Sequence, residues 1–256
     1  MLRSSFHRVS LCFGLWLAVE LPMCAQPVRN QPTADNPASG LRLDAEAMAR
    51  LIGDPPSPGS PRDRNDQAIL LWLQRTRTPE MVSGAWIPLE KSLGYFNRAV
   101  GGDLRSRAPN IYAAVIQFLK PIEVVKDSLK DRWNRERPFP SISQISPCLP
   151  AEVNASYPSG HAIWYSAAGR LLADLFPERA DRLITAGQSV AYARVTCGVH
   201  YPSDVLAGHV VAEESVRAVL ASPQWHRLKT SSFIQEERSR IQGLSPKAGL
   251  PTLYFD

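Results

Sequence analysis

A lysine, two arginines, two histidines and an aspartate fall within three short stretches of this chain: KDRWNRERP at 130–138, YPSGH at 157–161 and ARVTCGVHYPSD at 193–204. Moving a phosphoryl group takes a nucleophile, cations around the equatorial oxygens and an acid for the leaving group. These residue types supply each of them without calling on a metal. Lys130, Arg137 and Arg194 are the candidate cations, Ser159 and Gly160 the candidate hydroxyl and backbone donors, and His200, Asp204 and His161 the candidate nucleophile, orienter and acid.

Lys130 and Arg137 are seven residues apart, two turns of a helix, which predicts that both project from one face. A basic pair on one face is commonly a solvated stripe, and Arg132 and Arg135 crowd the same segment. Spacing and the Arg–Pro terminus single out Lys130 and Arg137. Arg137 offers a planar fork for two phosphate oxygens, and Lys130 a point charge. In Pro-Ser-Gly-His, Ser159 and Gly160 open a helix. Their amides and the Ser159 hydroxyl can cradle an anion at the positive end of the helix dipole, with His161 at the mouth. On its own the tetrapeptide is equally an ordinary cap beside an exposed histidine.

Neutral His200 can attack phosphorus when a carboxylate holds its other nitrogen, and Asp204, four residues on, is placed to do so. The plainer reading is a satisfied structural His–Asp pair. Arg194 counts against it, since a second guanidinium has little reason to join such a pair. Losing one preorganised donor at a developing oxyanion costs about 3–4 kcal/mol. Losing His200 costs more, because the covalent route goes with it.

Other chemistries lack their residues. There is no Walker lysine motif, and Gly101-Gly102 reads as a turn; no HExxH, paired CxxC or GxSxG occurs. Neither Cys148 nor Cys197 is followed six positions later by arginine, which removes a thiol phosphatase. His209 and His226 read as structural or exposed.

The elements that must position these groups are helical. Apolar spacing predicts helices from Asn65 to Thr78-Pro79, over 79–100 up to Gly101-Gly102, over 108–133, over 160–175 and over 178–195, with Ser203 capping a last core helix to about Leu220. The proline-rich DPPSPGSPRD is expected to hold no regular element, and 139–157 is expected to be loop. No alternating strand run or internal repeat is found. The fold class expected is all-α, a single compact helical-bundle domain.

Arg3 and Arg8, the apolar run 11–19 and Met23-Cys24-Ala25 read as a secretory signal peptide over residues 1–25. The run is too short to span a bilayer, so no stable membrane anchor is expected. Residues 26–45 read as a mobile leader, 46–230 as the domain, and 231–256 as a C-terminal extension with a helix near 235–242. Removing Arg3, Arg8 and Glu20 with the signal lowers the net charge from +5 to +4. That modest excess suits small anions and argues against nucleic acid. Cys148 and Cys197 then remain as an even pair in an exported chain, either a disulfide or two buried thiols. The bridge is favoured because each cysteine lies between motifs that must be neighbours.

The pattern Lys-x6-Arg-Pro, Pro-Ser-Gly-His, Arg-x5-His-x3-Asp resembles the signature of the type 2 phosphatidic acid phosphatase and vanadium haloperoxidase superfamily. Within it, DPPSP, NDQA, RPF, SYPSGH and CGVHYPSDVLAG are similar to bacterial class A non-specific acid phosphatases, from about Leu51 to Leu220. The resemblance implies an all-helical, periplasmic or secreted enzyme, often a homodimer, that needs no metal or other cofactor and acts on small phosphate monoesters such as nucleotides, sugar phosphates and aryl phosphates. It assigns His200 as the nucleophile of a phosphohistidine route, Asp204 as its orienter and His161 as the acid. Lys130, Arg137, Ser159, Gly160 and Arg194 then hold the phosphate oxygens, and the family pattern also supports a Cys148–Cys197 bridge. Ala193 departs from the family's serine, from which an altered rate or substrate preference is expected. The alternatives are a vanadium-dependent haloperoxidase using the same cradle, a lipid phosphatase, and an exported phosphate-binding protein without turnover.

Overall fold

The computed structural model describes residues 36–244. The signal-peptide reading of 1–25, most of the leader and the tail beyond 244 lie outside the described residues. Helices α1 (Ala45–Ile52), α2 (Pro61–Thr76) and α3 (Pro79–Trp86) precede a 3-10 turn at Leu93–Phe96 and the short α4 (Asn97–Val100) and α5 (Leu104–Arg107). The long α6 (Pro109–Trp133) and one-turn α7 (Pro138–Ser141) follow. Then come α8 (Gly160–Leu175), a 3-10 turn at Pro177–Arg179, α9 (Ala180–Thr196), α10 (Pro202–Leu220), α11 (Pro223–Thr230) and α12 (Ser232–Gln242). No strand occurs among the described residues, so the all-α expectation holds.

The core forms around α8, which is buried on nearly every side because α9, α10 and α6 all pack on it. Its residues are correspondingly apolar and small. A Cβ on Gly187 of α9 would lie 2.3 Å from the Tyr165 carbonyl oxygen, and one on Gly169 of α8 would lie 2.5 Å from that of Leu183. Reciprocal glycines therefore let α8 and α9 touch backbone to backbone. Gly208 of α10 makes the same kind of approach to the start of α8, where a Cβ would fall 2.9 Å from the Ser159 carbonyl oxygen. On α6, Ile111, Val115, Phe118, Ile122, Val125 and Leu129 recur at helical spacing and are all buried.

Several expected boundaries moved, each for a local reason. Helix α2 starts at Pro61 within the segment read as irregular. The Ser60 hydroxyl accepts from the Asp63 amide at 3.2 Å, and proline at the first helical position gives up no helical hydrogen bond. The helix expected over 79–100 breaks after Trp86, since Pro88 cannot continue it. It resumes only as the 3-10 turn and α4, which Gly101 ends at φ 88°. Helix α10 is capped at Tyr201, not Ser203: Pro202 opens it, and the Asp204 carboxylate takes the Tyr201 amide at 2.8 Å.

Described residues outside 46–230 pack on the body at both ends. The leader's described end is docked, with Ala38 buried and the Ser39 carbonyl accepting from Gln224 at 3.2 Å. Helix α12, placed in the extension, packs into the body through Ile234 and Ile241. Its buried Glu237 caps α6 by accepting from the Asn110 and Ile111 amides at 3.1 and 2.8 Å.

Candidate active site

Three chain segments meet at the start of α8, and the carboxylates of α2 support them from behind. The last turn of α9 presents Arg194, and the turn between α9 and α10 presents His200. The first turn of α10 presents Asp204. The α6 terminus and the loop after it present Lys130 and Arg137. All the residues singled out in the sequence come together here. Arg194 and His200 are each 1% exposed, and Lys130, Arg137, Ser159 and Asp204 are also buried.

Arg137 reaches this position by another route than the one expected. Helix α6 ends at Trp133, and Asn134 turns the chain into the left-handed region at φ 43°. Lys130 and Arg137 therefore do not share a helix face. Lys130 arrives from the last turn, and Arg137 from extended backbone ahead of Pro138.

Arg137 donates from Nε to the Asn154 carbonyl at 2.9 Å, from Nη1 to the Val199 carbonyl at 2.8 Å, and from Nη2 to Glu152 at 2.7 Å. Its Nη1 also lies 3.2 Å from His200 Nε2. On the other side of the ring, His200 Nδ1 faces Asp204 Oδ2 at 3.2 Å, and the Ser156 hydroxyl donates to that same oxygen at 2.5 Å. Burial, then Arg137, Lys130 and Arg194, holds the His200 pKa well below its ordinary value, so the ring is neutral. Burial pushes Asp204 up, opposed by Arg135 and by its hydrogen bonds from Ser156 and Tyr201.

Arg135, set aside in the sequence as undistinguished basic density, is the partner of Asp204. Its Nη1 donates to Asp204 Oδ1 and to the Ser203 hydroxyl, both at 2.7 Å, while Nη2 sits 3.4 Å from Asp66. The guanidinium lies 3.8 Å over the Tyr201 ring. Asp66 of α2 in turn takes the Ser203 amide at 3.1 Å. Asp63 and Asp66, one turn apart on α2, are both buried, and Arg135 is the cation that faces them.

Ser159 caps α8, its hydroxyl taking the Ala162 amide at 3.4 Å. Its own amide donates to the Asp204 carbonyl at 3.0 Å, so of its two expected cradle donors only the hydroxyl can face an anion. The first-turn amides of Gly160 and His161 are the ones that a helix start leaves without intrahelical acceptors. His161 Nε2 donates to the Leu89 carbonyl at 3.0 Å, since a carbonyl can only accept. Burial, then Arg194, lowers its pKa to about 4.

Two further groups define the electrostatics. Lys130 bonds the Ala155 carbonyl, and burial followed by Arg137 lowers its pKa to about 7. Glu152, not foreseen in the sequence, bonds both Arg137 and Arg194. Burial alone would raise its pKa, but Arg137, Arg194 and His200 overcome that and hold it at about 2. With Asp204 matched to Arg135, Lys130, Arg137 and Arg194 face a single carboxylate. Arg194 Nε and Nη1 are buried without a hydrogen-bond partner, so two donors of this guanidinium can take further acceptor oxygens.

Cys148 and Cys197 form the expected disulfide, and the Cys148 amide also bonds the Cys197 carbonyl at 3.1 Å. The bridge ties the Glu152-bearing loop to the end of α9. Ala193 is buried in a small apolar cluster with Ala85, Leu149, Cys197 and Val199. His209 is structural, as expected, pairing with the Ser166 hydroxyl at 2.8 Å. Among the described residues no cluster of three or more His, Cys, Asp or Glu side chains could hold a metal, and no helix is long and apolar enough to cross a membrane.

The sequence profile of the PAP2 superfamily matches residues 111–228, which contain every site residue above except the α2 carboxylates and Leu89. A non-specific acid phosphatase of Salmonella typhi is 32% identical over 231 residues, covering 88% of this chain and 83% of that one. An acid phosphatase of Zymomonas mobilis is 25% identical over 232 residues, covering 87% of each chain. Among solved structures, a transmembrane PAP2-type phosphatidylglycerolphosphate phosphatase from Bacillus subtilis shares the fold, with a TM-score of 0.51 at 20% identity, over 74% of this chain and 94% of that one. A match of this extent to the Salmonella enzyme, together with the superfamily profile, shows that the chain belongs to the PAP2 superfamily, in the family of the non-specific acid phosphatases.

Proposed function

We propose that this phosphatase hydrolyses small phosphate monoesters by two displacements at His200, without a metal. His200 Nε2 attacks phosphorus and the bond to the leaving oxygen breaks, with His161 giving that oxygen a proton. Water then attacks the phosphohistidine, His161 takes its proton, and phosphate leaves with His200 restored. Asp204 holds the ring and stabilises the imidazolium that forms. An alcohol in place of water would give phosphoryl transfer.

The observation that carries this reading is the Arg194 guanidinium, 1% exposed, with two nitrogens lacking acceptors beside a neutral histidine. A phosphoryl dianion would supply acceptors to Arg194, offset the surplus of cations and raise the depressed pKa values of Lys130 and His161. His161 would then hold the proton that it has to deliver. Nucleotides, sugar phosphates and aryl phosphates all present the same group to this site. Export through residues 1–25 belongs to the same proposal and is tested by the N-terminus of the protein recovered from cells.

The direct test is hydrolysis of p-nitrophenyl phosphate in excess EDTA, beside His200→Ala. Turnover that survives chelation, vanishes in the variant and is inhibited by vanadate is expected. Loss of turnover on chelation, or retention in the variant, overturns the mechanism.

A further inference from the structure

The place between the two arginines already holds an anion. Glu152 accepts from Arg137 Nη2 through Oε2 at 2.7 Å and from Arg194 Nη2 through Oε1. A carboxylate spanning two guanidiniums presents two anionic oxygens, as one edge of a phosphoryl group would, with half the charge of the dianion. The remaining acceptors of Arg137 are neutral: the Val199 and Asn154 carbonyls, the Asn154 side-chain oxygen and His200. Glu152 is thus the exchangeable anion.

It is also placed to leave. Its side chain is 29% exposed, against 3% for Arg137 and 1% for Arg194. It borders an open groove of about 510 Å³ shared with Arg137, Asn154 and Ala155, and Val153 beside it is fully exposed.

We propose that Glu152 is an internal competitor of the substrate: it fills the anion position in the free enzyme, is displaced by the phosphoryl group, and so sets both the affinity for phosphate monoesters and its dependence on acidity. The inference rests on the phosphatase reading above. A group that must be displaced equally for substrate and transition state raises KM and leaves kcat alone.

The sign of the pH effect follows from the groups that face Glu152, namely Arg137, Arg194, His200, His161 and Lys130. They hold its pKa at about 2 in the free site, below the ordinary 4.5 that it regains on moving into water. Displacement therefore takes up a proton between those values. Phosphate affinity gains from this as pH falls through 4.5 and levels off near 2. Above that window the carboxylate is ionised in both states and competes in full.

The test uses the full chain with Glu152→Gln and Glu152→Asp, the latter too short to reach both arginines while keeping the charge. Thermal melting confirms the fold, and kcat and KM for p-nitrophenyl phosphate are read beside the Kd of inorganic phosphate by calorimetry, from about pH 3.5 to about pH 7.5. Both variants are expected to lower KM and the phosphate Kd by about tenfold or more at neutral pH, with kcat within about twofold. The Gln variant should also lose the acid-side gain in affinity. An unchanged or raised KM and Kd overturns the proposal and makes Glu152 a strut that aligns the arginines. A parent chain that binds phosphate but turns nothing over overturns the phosphatase reading instead, while the calorimetric comparison still decides the role of Glu152.

Discussion

Arg137 Nη1 stands 3.2 Å from His200 Nε2, and chemistry fixes the direction of that hydrogen bond. A guanidinium can only donate, so Nε2 presents its lone pair and the ring proton sits on Nδ1, towards Asp204. In the proposed mechanism this contact aims the lone pair that would attack phosphorus. Asp204→Asn would let an amide donate to Nδ1 and favour the opposite tautomer. A loss of about 10³–10⁴ in kcat is expected, with phosphate binding largely kept. Steady-state kinetics beside phosphate calorimetry checks this, and a loss confined to KM would contradict it.

Arg135 touches Asp204 from the side away from His200. Arg135→Met leaves that buried carboxylate without its cation, so its pKa, already raised by burial, rises further. Asp204 must be ionised to orient His200, and therefore the acid limb of kcat should move to higher pH. Breaking one side of a buried ion pair also costs about 3–5 kcal/mol of stability. A pH–rate profile and a melting curve read the two effects separately.

The unpartnered nitrogens of Arg194 predict a dependence that charge alone does not meet. Arg194→Gln and Arg194→Lys should both lower kcat/KM, by about 10²–10³ for the former, because an ammonium cannot present the planar fork. Vanadate inhibition should weaken in parallel. A Lys variant with parental kinetics would show that only the charge matters.

Lys130 links anion binding to pH with a definite sign. Its pKa is about 7 in the anion-free site, against an ordinary 10.5. Between those values the unfolded chain binds the extra proton, so in the free protein this group adds stability as pH rises through that window. A bound dianion restores the proton and cancels the trend. Sulfate, whose charge is constant here, should raise Tm clearly at about pH 6 and little at about pH 9. Lys130→Met should flatten that difference.

Gly187→Ala tests the crossing on which the site stands. Its Cβ would meet the Tyr165 carbonyl at 2.3 Å, a backbone atom with little room to yield. Overpacking of this kind costs about 1–3 kcal/mol or more. A fall in Tm of several degrees is expected from thermal melting, together with weaker catalysis, because α8 carries His161.

The three motifs, the class of fold and the long helices could be read from the sequence because each rests on local spacing. Ile111, Val115 and Phe118 announce a helix to any reader of periodicity, and His200 and Asp204 are four residues apart. What escaped reading depends on loops and on distant partners. Glu152 lies in a stretch with no period, placed by the disulfide and by Asn154. Arg135 differs from Arg132 and Arg137 only in the distant partners that α2 and the start of α10 bring to it. The helical argument for Lys130 and Arg137 picked two residues that do converge, but through a geometry that Asn134 breaks.

Asp204 is held at both ends. Its carbonyl takes the Ser159 amide that begins α8, while its carboxylate takes His200, Ser156, Tyr201 and Arg135. One residue thereby sets the register of two motifs far apart in the chain, Ser159 and Asp204 being 45 positions from each other, and neither can move without the other. Inheritance in such a molecule is uneven. Substitutions that disturb the α8–α10 junction are expected to be removed together with the activity they destroy. The segment between Leu149 and Ser156 is fastened by one bridge and a few side-chain contacts, which leaves it free to vary. New substrate preferences should therefore arise first in that segment, on a reaction centre that stays fixed.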